Sequence, residues 1–171
     1  YALDQRRIGV TGTGYEPIGT FQDGSSSLNA EKDEHLALAL RIGMLCNDAK
    51  VERSDGGNTV LGDPTEAALI VVGEKAGMNH GRLAVDFPRL SEVPFDSVSK
   101  RMVTVHRTPQ GRTVAFIKGS PGTLLAASSA YFRAPGVTPL APDDRRVWED
   151  ANKRMASSAL RVLGLAFREL P

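Results

Sequence analysis

The chain has 171 residues, 41% of them hydrophobic and 24% charged, and a formal net charge of +1. This length and composition are typical of one globular domain with a sizeable core, and the small net charge argues against general binding to nucleic acid or to a membrane surface. Three scattered histidines and a single cysteine, Cys46, give no basis for a disulfide or a clustered zinc site. No apolar run approaches the roughly 18 residues that span a bilayer.

The N-terminal residues predict a hairpin followed by a polar loop. Short strand-like runs at residues 7–10 and 15–21 flank a glycine-rich turn at residues 11–14. A phosphate-binding glycine loop is not indicated, because the third glycine of that motif is missing and no helix follows. Residues 23–27 are typical of a polar loop.

A helix and a second hairpin follow. Asn29 suits the N-cap of a helix that runs to about residue 46, with acidic residues in its first turns. Cys46, at the apolar end of this helix, is interpreted as a buried small hydrophobe. Residues 51–53 and 59–61 flank a turn-forming stretch at residues 54–58, which predicts a small hairpin.

The start of the next helix is well marked. Asp63 suits its N-cap, Pro64 its first turn and Glu66 its third position. Taken alone, this stretch favours a structural role in which Glu66 caps its own helix. A second role stays open, because a carboxylate only accepts hydrogen bonds and suits the exocyclic amino group of an adenine.

Three strands are predicted at residues 89–95, 102–107 and 112–117. The loop between the first two contains Lys100. Phe95, at the end of the first strand, is either a core residue or an exposed ring on which a base stacks beside that lysine.

The third strand ends at Lys118-Gly119, and Ser120 and Pro121 suit the cap and first residue of a helix to about residue 130. A cation at a strand end that faces a helix start suits an anion such as phosphate; the alternative is an ordinary surface lysine. A long helix over residues 143–158 and a final strand-like run at 160–167 complete the chain. Arg161 there either pairs with a carboxylate or contacts a phosphate.

Five motifs follow one another along the chain. In order, they are Leu45-Cys46-Asn47-Asp48-Ala49, Gly62-Asp63-Pro64-Thr65-Glu66-Ala67-Ala68-Leu69, Pro94-Phe95-Asp96-Ser97 with Lys100-Arg101-Met102, Lys118-Gly119-Ser120-Pro121, and Met155-Ala156-Ser157 with Leu160-Arg161-Val162-Leu163. Together they resemble the nucleotide-binding (N) domain of P-type cation-transporting ATPases, most closely the branch that contains the calcium pumps. The resemblance covers nearly the whole chain, and abundant Arg, Ala and Gly suggest a bacterial source.

The resemblance implies which residues contact the nucleotide. Glu66 matches the acidic residue that binds the adenine amino group, Phe95 the aromatic that stacks on the ring, and Lys118 the lysine at the floor of the pocket. The full implied set is Glu66, Phe95, Lys100, Lys118, Gly119, Arg161 and Leu163. One departure is Gly122, which stands where the family motif has a glutamate, so any role of that glutamate is not carried over.

The resemblance also implies an α+β fold, a predominantly antiparallel twisted sheet flanked by helices. We expect residues 1–171 to be one monomeric domain from a larger pump of the plasma membrane, on its cytoplasmic side. The domain is expected to bind ATP or ADP, without nucleic acid or direct membrane contact, and to present the γ-phosphate to the phosphorylation domain of the same chain, with the actuator domain as a further partner. Mg²⁺ would be bound mainly outside it.

Catalysis by these residues alone is not expected, because the DKTGT phosphorylation motif and any metal cluster are absent from the sequence. Two alternatives stay open: a P-type ATPase of other cation specificity with a degenerate pocket, and an interaction module that binds no nucleotide.

Overall fold

The computed structural model describes residues 2, 3, 6–54 and 57–171. The strands are Ala2–Leu3 (β1), Arg6–Val10 (β2), Phe21–Asp23 (β3), Ser26–Leu28 (β4), Lys50–Ser54 (β5), Gly57–Leu61 (β6), Arg89–Asp96 (β7), Arg101–Arg107 (β8), Thr113–Gly119 (β9), Ala130–Arg133 (β10), Gly136–Pro139 (β11) and Gly164–Leu170 (β12). The helices are Glu34–Leu45 (α1), Pro64–Lys75 (α2), His80–Asp86 (α3), Pro121–Ala127 (α4) and Pro142–Ser157 (α5).

A four-stranded antiparallel sheet of order β12-β9-β8-β7 is the main scaffold. The N-terminal strands form a second sheet of order β1-β2-β3-β4, and β5-β6 and β10-β11 are separate two-stranded hairpins. Every pairing is antiparallel. Together with the helices, this confirms the predicted α+β class with a predominantly antiparallel sheet.

Helix α1 packs against the main sheet and forms its core. The buried residues of this core come from three elements: Ile42, Leu45 and Cys46 on α1 or just after it, Met102 on β8, and Val114 and Phe116 on β9. Cys46 is fully buried, as predicted, and burial raises the pKa of its thiol. The other face of α1, with Leu36 and Leu40, packs under the N-terminal sheet.

The predicted starts of α2 and α4 are confirmed by their caps. Asp63 Oδ1 accepts hydrogen bonds from the backbone N–H groups of Thr65 and Glu66, at 2.7 and 3.2 Å. Ser120 Oγ accepts one from Thr123 N at 3.3 Å. The strands predicted between residues 89 and 117 and the hairpin at 51–61 are present as β7, β8, β9 and β5-β6; of the hairpin turn, Asp55 and Gly56 lie outside the described residues.

Other boundaries were predicted wrongly. Helix α1 begins at Glu34, not after Asn29, because Asp33 accepts the capping bond from Leu36 N while Asn29 accepts from the amides of its own tight turn. The first hairpin pairs β2 with β3, so the connection is longer than the glycine turn, and β4 occupies part of the predicted polar loop.

Several elements were not predicted, including β1, and two predicted boundaries lie elsewhere. The short helix α3 and the hairpin β10-β11 fall in stretches without clear periodicity. Helix α4 ends at Ala127, three residues early, and the last strand begins at Gly164 rather than at residue 160. None of the helices in the described part of the chain is both long and apolar enough to span a membrane.

Candidate functional site

Most of the residues implied by the motifs lie at one end of the main sheet. The strand register places Asp96, Arg101, Gly119 and Gly164 in one row across β7, β8, β9 and β12. Five of the predicted site residues either belong to this row or are the immediate chain neighbour of one of its members. They are Phe95, Lys100, Lys118, Gly119 and Leu163.

The ion pair between Glu66 and Lys118 joins helix α2 to this end of the sheet. Lys118 Nζ donates to Glu66 Oε1 at 2.6 Å, and the two side chains are 6% and 17% exposed, respectively. The two residues are 52 positions apart in the chain. Lys118 is therefore neither a surface lysine nor free to face the start of α4, and Glu66 contacts another element instead of only capping its own helix.

The second oxygen of the Glu66 carboxylate is held by the turn that follows α1. Asp48 N donates to Glu66 Oε2 at 2.9 Å. The buried side chain of Asn47 fixes the same turn, since its Nδ2 donates to the carbonyls of Gly43 and Glu66 at 3.0 and 2.8 Å and its Oδ1 accepts from Ala49 N at 2.9 Å. The carboxylate is thus oriented by two donors from two elements.

Arg89, the first residue of β7, binds this turn from the other side. Its Nη2 donates to the carbonyls of Leu45 and Asn47 at 3.0 and 2.5 Å. Its Nη1 donates to Asp48 Oδ1 at 2.7 Å and to Glu92 Oε2 at 2.6 Å. Burial acts against the charge, but these two carboxylates outweigh it and raise the pKa of Arg89 above its ordinary value.

The turn between β7 and β8 is fixed against the end of β9. Lys100 has a φ of 50°, in the left-handed region that non-glycine residues seldom adopt. Its carbonyl accepts from Ser120 N at 2.9 Å, and it lies so close to Gly119 that a Cβ there would be 2.5 Å from it. The glycine of the motif is therefore required by this close approach.

The outer residues of the site are exposed. Phe95 is 60% exposed, so the core alternative is wrong, and Lys100 and Arg161 are also exposed. Hydrogen bonds from Thr65 lower the pKa of Asp63, and the positive charge of Arg161 adds to that shift. Leu163 is half-buried beside β12.

Three of the residues around the carboxylate were not predicted as site residues: Asn47, Asp48 and Arg89. Asn47 and Asp48 belong to the first of the motifs that indicated the family, but no contact with the nucleotide was predicted for them. Arg89 has no such signal, because its partners are 41 to 44 positions away in the chain or belong to its own strand. Gly122 is exposed, and apart from its chain neighbours and the backbone of its own helix, no atom of the described residues would lie within 4 Å of a Cβ there.

A cavity of about 260 Å³ borders this turn, and none of the predicted nucleotide-contacting residues lines it. It shares Asn47, Asp48 and Arg89 with the network. Its other lining residues are Leu45, Ala49 and Lys50 around the same turn, His80 and Ala84 of α3, Phe87, and His106 of β8. Burial lowers the pKa of His80 and of His106 there. In the part of the chain that is described, no cluster of three histidine, cysteine or carboxylate side chains is suited to hold a metal ion.

Comparison with known proteins places the chain in a family. A family profile described as P-type ATPase, cytoplasmic domain N, matches residues 35–171. The chain is 32% identical over 162 residues to a calcium-transporting ATPase of Bacillus subtilis. The alignment covers 94% of this chain and 18% of that protein. It is 37% identical over 162 residues to the cation-transporting ATPase pma1 of Synechocystis, covering 92% of this chain and 18% of the relative.

A eukaryotic relative has the same extent of similarity. The calcium-transporting ATPase type 2C member 1 of Bos taurus is 32% identical over 169 residues, which is 97% of this chain and 17% of the relative. The chain thus spans less than a fifth of the length of these curated relatives.

Proposed function

The chain belongs to the family of P-type ATPase cytoplasmic N domains, and from that premise we propose that it binds ATP by its adenine moiety. In a parent transporter it would then present the γ-phosphate to a separate phosphorylation domain. The observation that carries the proposal is the oriented carboxylate of Glu66, paired with Lys118 at the end of the sheet that holds the other motif residues.

The chemistry of the buried pair suits a purine with an amino group. An ionised carboxylate has about four lone-pair sites and only accepts hydrogen bonds. Lys118 and the Asp48 amide occupy two of them, so lone pairs remain for an N–H donor from the base. Because both protein donors fix the carboxylate in advance, little side-chain entropy is lost when the base binds.

The exposed residues suit the rest of the nucleotide. The ring of Phe95 is open to solvent at the same end of the sheet, and stacking on such a ring contributes roughly 1–3 kcal/mol per base. Lys100 and Arg161 supply positive charge for the phosphates. The Mg²⁺ that accompanies ATP would be bound by other parts of the parent.

The proposed role in the parent follows the names of the relatives. Several are calcium-transporting ATPases, so we propose a calcium-type cation transporter as the parent. The contribution of this domain would be to hold the nucleotide while its terminal phosphate reacts elsewhere, which is catalysis by positioning.

Calorimetric titration of the chain with ATP and ADP tests the proposal. We expect dissociation constants between about 0.1 mM and several millimolar, similar for the two nucleotides because the terminal phosphate is not held here. Phe95→Ala is expected to weaken ATP binding by about fivefold or more, and Lys118→Ala to weaken it as well.

The control is Ile18→Ala, which shortens a side chain that is 73% exposed in the connection between β2 and β3 of the N-terminal sheet. It should leave ATP affinity unchanged. Binding that is insensitive to Phe95 and Lys118 would indicate a degenerate pocket, and absence of ATP binding by the folded chain would indicate a module that binds no nucleotide; either result refutes the proposal.

A further inference from the structure

We propose that Arg89 is a positioning residue for base recognition: by fixing the Asn47-Asp48 turn, it holds the Asp48 amide against Glu66 and so orients the carboxylate that selects an amino-purine. This inference rests on the proposed function. The observation behind it is a continuous chain of contacts from Arg89 through Asp48 to Glu66.

The guanidinium of Arg89 holds several acceptors at once. Arg89 uses two nitrogens to reach four oxygens: two carbonyls at the end of α1 and two carboxylates. A planar guanidinium donates in a fixed fork, which makes it suited to hold several acceptors in one arrangement. The side chain is 31% exposed, so these bonds are partly shielded from water.

Without Arg89, the turn after α1 would lose several of the donors that hold it. A helix end leaves carbonyls without partners inside the helix, and Arg89 satisfies that of Leu45 in the last turn and that of Asn47 just beyond it. Arg89 is also the cation that bridges Asp48 to Glu92. Removing Arg89 leaves two neighbouring carboxylates without this cation between them, so the turn is expected to open and carry the Asp48 amide away from Glu66.

The turn affects recognition of the base through the Glu66 carboxylate. When one of its two donors is lost, the Glu66 carboxylate keeps only Lys118 and gains rotational freedom. A carboxylate held by both donors accepts from the 6-amino group of adenine and repels the 6-carbonyl of hypoxanthine, because both groups would then be acceptors. Arg89 thus influences the choice of base without being part of the row that holds the motif residues.

The test compares ATP with inosine triphosphate, in which a 6-carbonyl replaces the 6-amino group and N1 carries a proton. The dissociation constants of both are measured for the unmodified chain, Glu66→Gln and Arg89→Gln, with Arg112→Gln as matched control. Arg112 also bridges to a carboxylate, Glu169, but that residue lies on β12, the edge strand opposite to β7.

We expect the unmodified chain to prefer ATP by about tenfold, which corresponds to one good hydrogen bond. Arg89→Gln should raise the ATP dissociation constant by about threefold to tenfold and reduce the preference to about threefold or less, while Arg112→Gln changes neither. In amide NMR spectra, the Asp48 signal should shift upfield in Arg89→Gln, because its hydrogen bond to Glu66 is lost.

The possible failures are distinguishable. If the unmodified chain binds ATP without preference, or if Glu66→Gln has no effect, the proposed function itself fails. If Glu66→Gln abolishes the preference but Arg89→Gln retains it in full, only the positioning role is refuted; a merely structural role would lower stability and leave the ratio unchanged. Should Arg89→Gln not fold, Asp48→Asn decides, because Asp48 is exposed and this change weakens only the Arg89 contact; an unchanged ratio then overturns the inference.

Discussion

At the scale of single residues, the ammonium of Lys118 is the most constrained charge of the site. Its side chain is 6% exposed and its bond to Glu66 is 2.6 Å long. Breaking a buried pair by removing one partner leaves the other charge without compensation, and this is more costly than removing both. The pair should therefore show strong coupling in stability as well as in ligand binding.

Lys118→Met is expected to lower the free energy of unfolding by about 2–4 kcal/mol, because the Glu66 carboxylate is then left half-buried with one donor. Adding Glu66→Gln should recover part of the loss. Urea denaturation of the single and double variants measures this coupling. Lys153→Met, which removes an exposed partner of Asp150, should stay within about 0.5 kcal/mol. Strict additivity of the two site substitutions would contradict the prediction.

His106 gives stability a dependence on pH. Its Nδ1 donates to the carbonyl of Phe87 at 2.9 Å, and burial lowers its pKa below the ordinary 6.5. Below that value the unfolded chain takes up a proton that the folded chain does not, so stability should fall between pH 7 and 5.5. His106→Asn keeps a donor and removes the titration, so the decrease should be smaller. An equal decrease in the two proteins would exclude His106 as its source.

At the scale of elements, local signals define starts better than ends. Asp63 and Ser120 could be assigned as caps from the sequence, because an N-cap is a contact between neighbours in the chain. Asn29 was assigned wrongly because Asn29 and Asp33 are both good caps, and only the packing of Leu36 and Leu40 under the N-terminal sheet selects the second. Helix α3 has no buried residue, so it carries no periodic pattern to detect.

Two motif glycines should respond in opposite directions to the same substitution. Gly119→Ala is expected to destabilise the chain by about 1–3 kcal/mol, because the new Cβ would lie 2.5 Å from the Lys100 carbonyl. Gly122→Ala, in the exposed first turn of α4, has space and should stabilise by up to about 1 kcal/mol. Thermal unfolding of both variants measures this difference. Similar stability of the two would contradict the close approach of the β7-β8 turn to β9.

At the scale of the whole molecule, the site depends on strand register. The row through Asp96, Arg101, Gly119 and Gly164 brings together residues that are up to 68 positions apart, and no local pattern encodes that alignment. The order of the motifs was sufficient to indicate the family and its implied residues. The network around Arg89 could not be predicted, because it depends on how the end of α1 meets the first residue of an edge strand.

The central claim is that ATP binds at the end of the main sheet, around Glu66 and Lys118. The most direct test follows the amide signals of the unmodified chain in NMR spectra during titration with ATP. We predict that the largest shifts fall in the first turn of α2, the end of β7, the turn to β8 and the end of β9, with saturation in the millimolar range. Absence of shifts, or shifts confined to the cavity at His80 and His106, would contradict it.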